Sequence, residues 1–187
     1  MPVVHRYDPP ERFVAGTVGP PGQRTFFLQA RAGSRITSIS LEKQQVAVLA
    51  ERVDGLLDDL LRAEGGAGLV PAVAPTTMED SAPLEQPIEE EFRAGTMTLA
   101  WDADTSRVVI EVFPIEESEA VVEDLMEDEA PEPEEMLVVS LTPAAARAFS
   151  KRAQAVVAAG RPPCQFCGNP LDPAGHLCPR ANGFRRR

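Results

Sequence analysis

Residues 13–18 read Phe-Val-Ala-Gly-Thr-Val and residues 92–97 read Phe-Arg-Ala-Gly-Thr-Met, and this pair decides the expected fold. The two stretches are 79 residues apart, whereas Ser40-Leu41 and Ser140-Leu141 are 100 residues apart. The two offsets differ by 21 residues, about the length of the stretch 116–135, which has eleven acids and no basic residue. With that stretch treated as an insertion, both halves share one register. We interpret this as an internal duplication, and chance similarity of two β-rich stretches is the alternative.

Both halves have the same predicted order of elements, namely three β-rich runs followed by a helix. Gly, Pro and Asp residues mark the turn between the first and second runs of each half. The expected strands are residues 13–18, 25–31 and 35–41 in the first half and residues 92–101, 107–113 and 136–141 in the second.

The two helices have the clearest hydrophobic periodicity. Apolar residues recur at three- and four-residue spacing, which is typical of one buried helix face. Thr142 and Pro143 suit the N-cap and first position of the second helix, and Gly160 suits its end. The stripe of the first helix is Val46, Leu49, Val53, Leu56, Leu57 and Leu60, and that of the second is Phe149, Ala153, Val156 and Val157.

Together these patterns predict an α+β fold. Two βββα repeats form a mostly antiparallel, six-stranded sheet with both helices on one face, followed by a small C-terminal zinc-binding tail. The expected divisions are a first half (1–62), a flexible Gly/Ala/Pro connector (63–88), a second half (89–160) with the acidic insertion 116–135, and a basic zinc-binding tail (161–187).

Charge is distributed unevenly along the chain. The net charge is -11, yet residues 161–187 contain five arginines and one aspartate. An acidic body repels phosphates, so any nucleic-acid binding would belong to the tail. The acidic insertion is either a solvated loop or a docking segment for a basic partner or for the arginine-rich tail.

The sequence contains no run of about 18 apolar residues and no signal-peptide pattern, which predicts a cytoplasmic protein that does not span a membrane. The three cysteines lie within fifteen residues of one another. In a reducing compartment such a cluster favours metal binding over disulfides.

Cys164, Cys167, His176 and Cys178 are the predicted ligands of one structural Zn²⁺ ion. A C-x-x-C hairpin supplies two ligands on one tight loop, and a second pair closes a tetrahedral site. His176 and Cys178 are separated by one residue, so in an extended segment they share a face. Four protein ligands leave no open coordination position, which predicts a structural site. Free cysteines and a redox C-x-x-C pair are the alternatives.

The same assignment argues against an enzyme, because His5 is the only histidine that zinc does not take. A Ser–His–Asp or Cys–His arrangement would have to use His5. His5, Tyr7, Asp8 and Arg12 either form a polar site or cover the sheet edge. We therefore expect no catalytic residues.

The sequence resembles an actinobacterial family, domain-of-unknown-function family 3090. The resemblance is carried by residues 12–30, 41–46 and 164–183, and its most specific part is the stretch 175–183, Gly-His-Leu-Cys-Pro-Arg-Ala-Asn-Gly. It spans nearly the whole chain. The resemblance implies membership of the family and implies no particular activity.

Two main hypotheses follow. The first is a non-enzymatic protein-interaction or adaptor module, with zinc fixing the C-terminal part and a protein as partner. The second is an enzyme that acts on a small anionic or phosphorylated substrate at the junction of the halves, with Arg12, Arg24 or Arg35 as anion ligands. A weaker third is nucleic-acid binding through the basic tail, where Phe166 and Phe184 offer stacking faces.

Overall fold

The structure is a computed structural model that describes residues 3–63, 68–115, 135–171 and 175–180. All but the last residue of the predicted acidic insertion, residues 116–134, lies outside the described part, and so does Phe184. The strands are β1 (Val3–Tyr7), β2 (Arg12–Val18), β3 (Thr25–Ala32), β4 (Arg35–Leu41), β5 (Glu90–Asp102), β6 (Arg107–Pro114) and β7 (Glu135–Leu141). The helices are α1 (Lys43–Arg62) and α2 (Pro143–Ala158), and Thr76–Met78 forms one 3-10 turn.

The seven strands form one mixed sheet in the order β1-β7-β6-β5-β4-β3-β2. The β1–β7 and β4–β5 pairs are parallel, and the other four pairs are antiparallel. All six predicted strands and both predicted helices are present, and the α+β class is confirmed. The chain therefore runs through β2-β3-β4-α1 and then β5-β6-β7-α2.

The predicted count of six strands was wrong, because β1 adds a seventh strand at the sheet edge. It pairs with β7, where His5 lies opposite Leu137, more than 130 residues away. Only Tyr7 of β1 is buried. Since the strand has no alternating apolar pattern and its partner is remote, nothing local in the sequence predicts it.

Both helices pack on one face of the sheet and share one core. The predicted stripes face this core, with Val53 and Leu57 of α1 and Ala153 of α2 fully buried and other stripe members only partly buried. Phe13 of β2 stacks on Phe149 of α2 with ring centroids 4.6 Å apart. Burial of each large side chain stabilises the fold by about 1.5–3 kcal/mol.

The start of α2 has the predicted cap, whereas Gly160 lies two residues past the end of α2 without the positive φ of a glycine cap. Thr142 accepts a hydrogen bond from the backbone N–H of Ala145, and Pro143 begins α2. At the start of α1, Glu42 and Gln45 form a reciprocal capping box. The Gln45 amide also donates to the carbonyl of Ala94 on β5, so it ties the helix start to the sheet.

A buried arginine joins the two helices. Arg147 of α2 donates to Asp54 Oδ1 and to Asp58 Oδ1, at 2.9 Å each, and its side chain is 8% exposed. It also donates to the carbonyl of Pro71. Beside it, Ser150 Oγ donates to the carbonyl of Ala50 at 2.8 Å. The helix interface is therefore polar as well as apolar.

The described part of the expected connector, residues 68–88, is packed against the sheet and α2. Val70 joins the helix-side core, while Leu84 covers Val14 and Phe27 on the opposite face. The composition predicted a flexible segment here, because Gly, Ala and Pro dominate it. A few well-placed apolar residues and one aspartate give it fixed contacts instead.

That aspartate, Asp80, is held by two arginines from different elements. Arg12 of β2 donates to it through Nε at 2.6 Å, and Arg152 of α2 donates through Nη1 at 2.8 Å. The hydrogen bond from Arg12 is the largest cause that holds the pKa of Asp80 below its usual value. Both arginines also donate to the carbonyl of Ala82. These contacts fasten the segment to the sheet and to α2.

Candidate metal centre

The C-terminal tail starts with a tight hairpin around the C-x-x-C sequence. The Cys164 N–H donates to the carbonyl of Asn169, and the Gly168 N–H donates back to the carbonyl of Cys164. A β-bridge between Pro163 and Pro170 closes the base of the hairpin. Gly168 has a φ of 75°, a conformation that glycine adopts without steric cost. The hairpin therefore presents two cysteines from one loop.

The tail brings all four predicted ligands together. The Sγ atoms of Cys164, Cys167 and Cys178 and a ring nitrogen of His176 all lie within 4.8 Å of one another. Cys164 Sγ is 3.8 Å from Cys178 Sγ, and Cys167 Sγ is 3.2 Å from His176 Nε2. A disulfide needs an S–S distance of about 2.05 Å, so these cysteines are free thiols. The cluster could hold a metal ion.

Backbone groups favour the thiolate form of one ligand. The N–H groups of Cys167 and Phe166 hydrogen-bond to Cys164 Sγ and lower its pKa. The pKa of Cys167 is raised: the N–H of Asn169 lowers it, but burial and hydrogen bonds shared with Cys178 and Cys164 raise it by more. The thiolate is the form that binds metal, so these backbone groups favour metal binding by Cys164.

Two large apolar side chains project from the ligand loops. Phe166, inside the C-x-x-C hairpin, is 63% exposed, and Leu177, between His176 and Cys178, is 85% exposed. The cysteines beside them, Cys164 and Cys178, are buried. Leu177 was not singled out from the sequence. Its position between two ligands is the signal that could have identified it, because both neighbours must face the cluster.

The three arginines considered as anion ligands have different surroundings. Arg12 binds Asp80, and Arg35 stacks over the Tyr7 ring, with its Cζ 4.2 Å from the ring centroid. Arg24 lines a cavity of about 270 Å³ near the start of α1 and the base of the tail, and Arg12 lines a different cavity, of about 430 Å³, beside α2. The structure therefore does not bring the three arginines to one site.

Of the two alternatives for the N-terminal residues, the common polar site is not formed, because Arg12 binds Asp80 rather than His5, and β1 instead lies at the edge of the sheet. His5 lies beside Glu135 and Glu91, and its Nε2 is 2.7 Å from Glu135 Oε1. Sequence reasoning missed this group. The three residues are spread over 130 positions, and only strand pairing brings them together.

Within the described residues, no helix combines the length and the apolar character that crossing a bilayer requires. The fold and the cluster define an α+β protein with a mixed seven-stranded sheet, two helices and a C-terminal Cys/His group that could bind metal. The family model described as "Protein of unknown function (DUF3090)" matches residues 5–178, and the chain belongs to that family. The searches of curated proteins and of solved structures found no match.

Proposed function

We propose that the C-terminal cluster is a structural zinc centre. Three thiolates and one imidazole are a donor set of structural zinc sites. A tetrahedral ion with Zn–S bonds of about 2.3 Å holds two sulfurs about 3.8 Å apart. Cys164 Sγ and Cys178 Sγ lie 3.8 Å apart. Four protein ligands leave no position for water or substrate, so the ion orders the tail and does no chemistry.

We further propose that the protein is a cytosolic, non-enzymatic interaction module whose zinc tail docks a protein partner. The exposure of Phe166 and Leu177 carries this proposal. Each lies in or between the ligand positions, so a bound ion would fix both side chains relative to each other. Exposed side chains on a fixed backbone lose less entropy when a partner covers them, and interfaces are enriched in aromatic residues such as Phe.

Charge favours a protein over a nucleic acid as the partner. The chain carries -11, and its basic excess is confined to the five arginines of residues 161–187. Nucleic-acid binding depends on phosphate neutralisation, and an acidic body opposes it. Among the tail arginines, Arg180 donates to the carbonyl of Phe166 at 3.3 Å, a contact within the tail.

The interpretation as a duplication has one further support, in the helix interface. Ser150 bonds Ala50, and Gln154 Nε2 donates to Asp54 Oδ2 at 2.6 Å. Both pairs are 100 residues apart, which is the offset of the Ser-Leu match in the sequence. The sheet order places β5 beside β4 and not beside its counterpart β2, so a shift along the sheet, and not a twofold axis, would relate the two halves. The order β2-β3-β4-α1 and β5-β6-β7-α2 agrees with a duplication.

An affinity pull-down from host lysate tests the docking proposal. The intact chain is compared with a chain lacking residues 161–187 and with a Phe166→Ser/Leu177→Ser double variant. The control is Val73→Ser, since Val73 is 75% exposed but lies outside the tail. A partner captured by the intact chain and the control, but lost from the other two, supports docking through the tail.

Equal capture by the intact chain and the double variant would overturn the assignment of the contact to these two side chains. The absorbance ratio at 260 and 280 nm of the purified chain separates a protein partner from nucleic acid. Co-purifying nucleic acid that disappears on removal of residues 161–187 would favour the third hypothesis.

The enzyme alternative has one supporting observation, the cavity of about 270 Å³ near the base of the tail. Arg24, Lys43 and Arg161 line it, and no acidic side chain of the described residues does. Arg24 also donates to the carbonyl of Val156 near the end of α2, a contact that helix C-termini favour. Phosphate titration of the intact chain and of Lys43→Gln tests it: saturable binding that the variant loses would support an anion site.

A further inference from the structure

A second group of potential metal ligands lies on the sheet, formed by residues of three strands. His5 comes from β1, Glu91 from β5 and Glu135 from β7. One ring nitrogen and one oxygen from each carboxylate all lie within 4.8 Å of one another. β1 and β7 are neighbouring parallel strands, with Val3 opposite Glu135, and Glu91 joins the group from the second residue of β5.

Buried hydroxyl groups on the Nδ1 side of the His5 ring set its orientation. Its Nδ1 is 3.4 Å from Thr37 Oγ1, and Thr37 Oγ1 is 2.8 Å from the Tyr7 hydroxyl. Both Thr37 and Tyr7 are 1% exposed. This arrangement directs Nε2 toward Glu135, at 2.7 Å. A hydrogen bond to the second ring nitrogen is a recurring feature of metal-binding histidines, since it fixes the tautomer and the ring plane.

The negative charges of Glu91 and Glu135 favour a cation between them. Two carboxylates at this separation repel each other unless positive charge lies between them. In the part of the chain that the structure describes, Glu91 has no ion pair, and Glu135 pairs only with His5. A protonated imidazole supplies one positive charge, whereas a divalent ion supplies two and bonds to all three groups.

We propose that His5, Glu91 and Glu135 form a second metal site, separate from the C-terminal cluster, that binds a divalent transition-metal ion. One imidazole nitrogen and two carboxylate oxygens form a harder donor set than the thiolates of the tail, and they suit Mn²⁺ or Fe²⁺. Glu91 is exposed, while the side chains of His5 and Glu135 are 17% and 26% exposed. With three protein ligands on an open surface, the ion keeps positions for water or a small ligand.

Manganese binding tests this site, because Mn²⁺ prefers oxygen and nitrogen ligands to thiolates. The zinc-loaded, full-length chain is titrated with Mn²⁺, and the free ion is followed by electron paramagnetic resonance. We expect one saturable site per chain. Glu91→Gln and His5→Gln should each weaken it about 10-fold or more, since even outer-shell changes cost 10–100-fold.

Glu90→Gln is the matched control, because Glu90 is exposed, adjacent on the same strand and carries the same charge. It should leave the affinity unchanged. Glu91 is also exposed, so its loss leaves the folded core intact, and circular dichroism checks this for His5→Gln. Equal weakening by Glu90→Gln and Glu91→Gln, or none by either, would show that Mn²⁺ binds the acidic surface in general and would overturn the proposal.

Independence from the tail is measured on Cys178→Ser. The proposed site should keep its full Mn²⁺ affinity in that variant, whatever happens to zinc. Loss of Mn²⁺ binding there, with binding retained in Glu91→Gln, would place the manganese in the C-terminal cluster instead and overturn the second site.

Discussion

The sheet body and the C-terminal tail reach order by different means. The body buries 25 apolar residues in one continuous core between the sheet and both helices. In the described part of residues 161–180, only Cys164 and Cys178 are buried, and both belong to the ligand cluster. The body is therefore stabilised by burial of apolar side chains. The buried residues of the tail are instead cysteines of the Cys/His cluster.

This difference teaches how short segments become ordered. A segment of about 20 residues buries too little apolar surface to offset the entropy of ordering its backbone. A metal ion replaces that surface with a few strong bonds at one point. The body has an apolar core of its own, so the two regions should respond to different perturbations, and each prediction below separates them.

The largest expected effect is that of Cys178→Ser on the tail. Structural zinc contributes about 10–16 kcal/mol to ordering small zinc-finger peptides, so removing one thiolate should abolish most metal binding and order here. The body should keep its melting temperature. Metal analysis and limited proteolysis measure the two parts. Leu177→Ser, an exposed non-ligand in the same loop, should retain the metal; unchanged metal content in Cys178→Ser would contradict the four-ligand assignment.

The opposite response is expected from Arg147→Ala in the body. This change removes the charged hydrogen bonds to Asp54 and Asp58, whose side chains are 30% and 45% exposed and remain hydrated, and should cost about 1.5–3 kcal/mol of unfolding free energy. Denaturant unfolding measures it, and zinc content should stay unchanged. Arg62→Ala is the control, because the Arg62–Asp59 pair is exposed and should cost less than about 1 kcal/mol. Equal effects would mean that the helix interface does not depend on Arg147.

A smaller contrast lies within the body, at the glycines of the matching motifs. A Cβ on Gly95 would lie 2.7 Å from the Pro114 carbonyl oxygen, whereas one on Gly16 would meet the Leu84 side chain at 2.5 Å. Backbone cannot move aside as a side chain can. Overpacking lowers the free energy of unfolding by about 1–3 kcal/mol. The loss should be near the upper end of this range for Gly95→Ala and smaller for Gly16→Ala. Thermal melts of both variants measure this, and the reverse order would contradict the packing argument.

The smallest effect is the pH dependence from Asp80. Its pKa in the folded state is lowered from 3.8, chiefly by the hydrogen bond from Arg12. The folded state therefore binds fewer protons than the unfolded state around this pH. The associated stability is complete above the unfolded pKa and is lost as pH falls through the folded value. Asp80→Asn should flatten this acid-side decline in denaturant unfolding. An unchanged slope would show that Asp80 does not contribute.

Acidification also distinguishes the two regions, because metal ligands must be deprotonated to bind. The tail should release its ion at a higher pH than that at which the body weakens. Zinc release followed with a chromophoric chelator, and body order followed by circular dichroism, should give two separate transitions.

Local sequence patterns predicted most of the elements. The spacing of Leu49, Val53 and Leu57 predicted α1, and the Thr142-Pro143 pair predicted the start of α2, since each signal depends on neighbours within a few residues. The C-x-x-C spacing likewise predicted the hairpin of the tail. The structure then placed His176 and Cys178 beside it.

Patterns of this kind did not predict contacts between distant residues. Nothing near β1 indicates that it pairs with β7, and nothing near Asp80 indicates that Arg12 and Arg152 will hold it. The described part of the expected flexible connector is packed for this reason. Composition predicts how flexible a segment is in isolation. The tertiary fold determines which distant residues that segment contacts.

The sequence by itself determined the α+β class, the helices, six of the seven strands and the Cys/His cluster of the tail, because short-range periodicity or spacing predicts each of them. Only the tertiary structure decided the edge strand, the clamp on Asp80 and the grouping of His5, Glu91 and Glu135. The physical reason is that strand pairing and side-chain convergence depend on chain closure over about 70–130 residues, which no local pattern encodes.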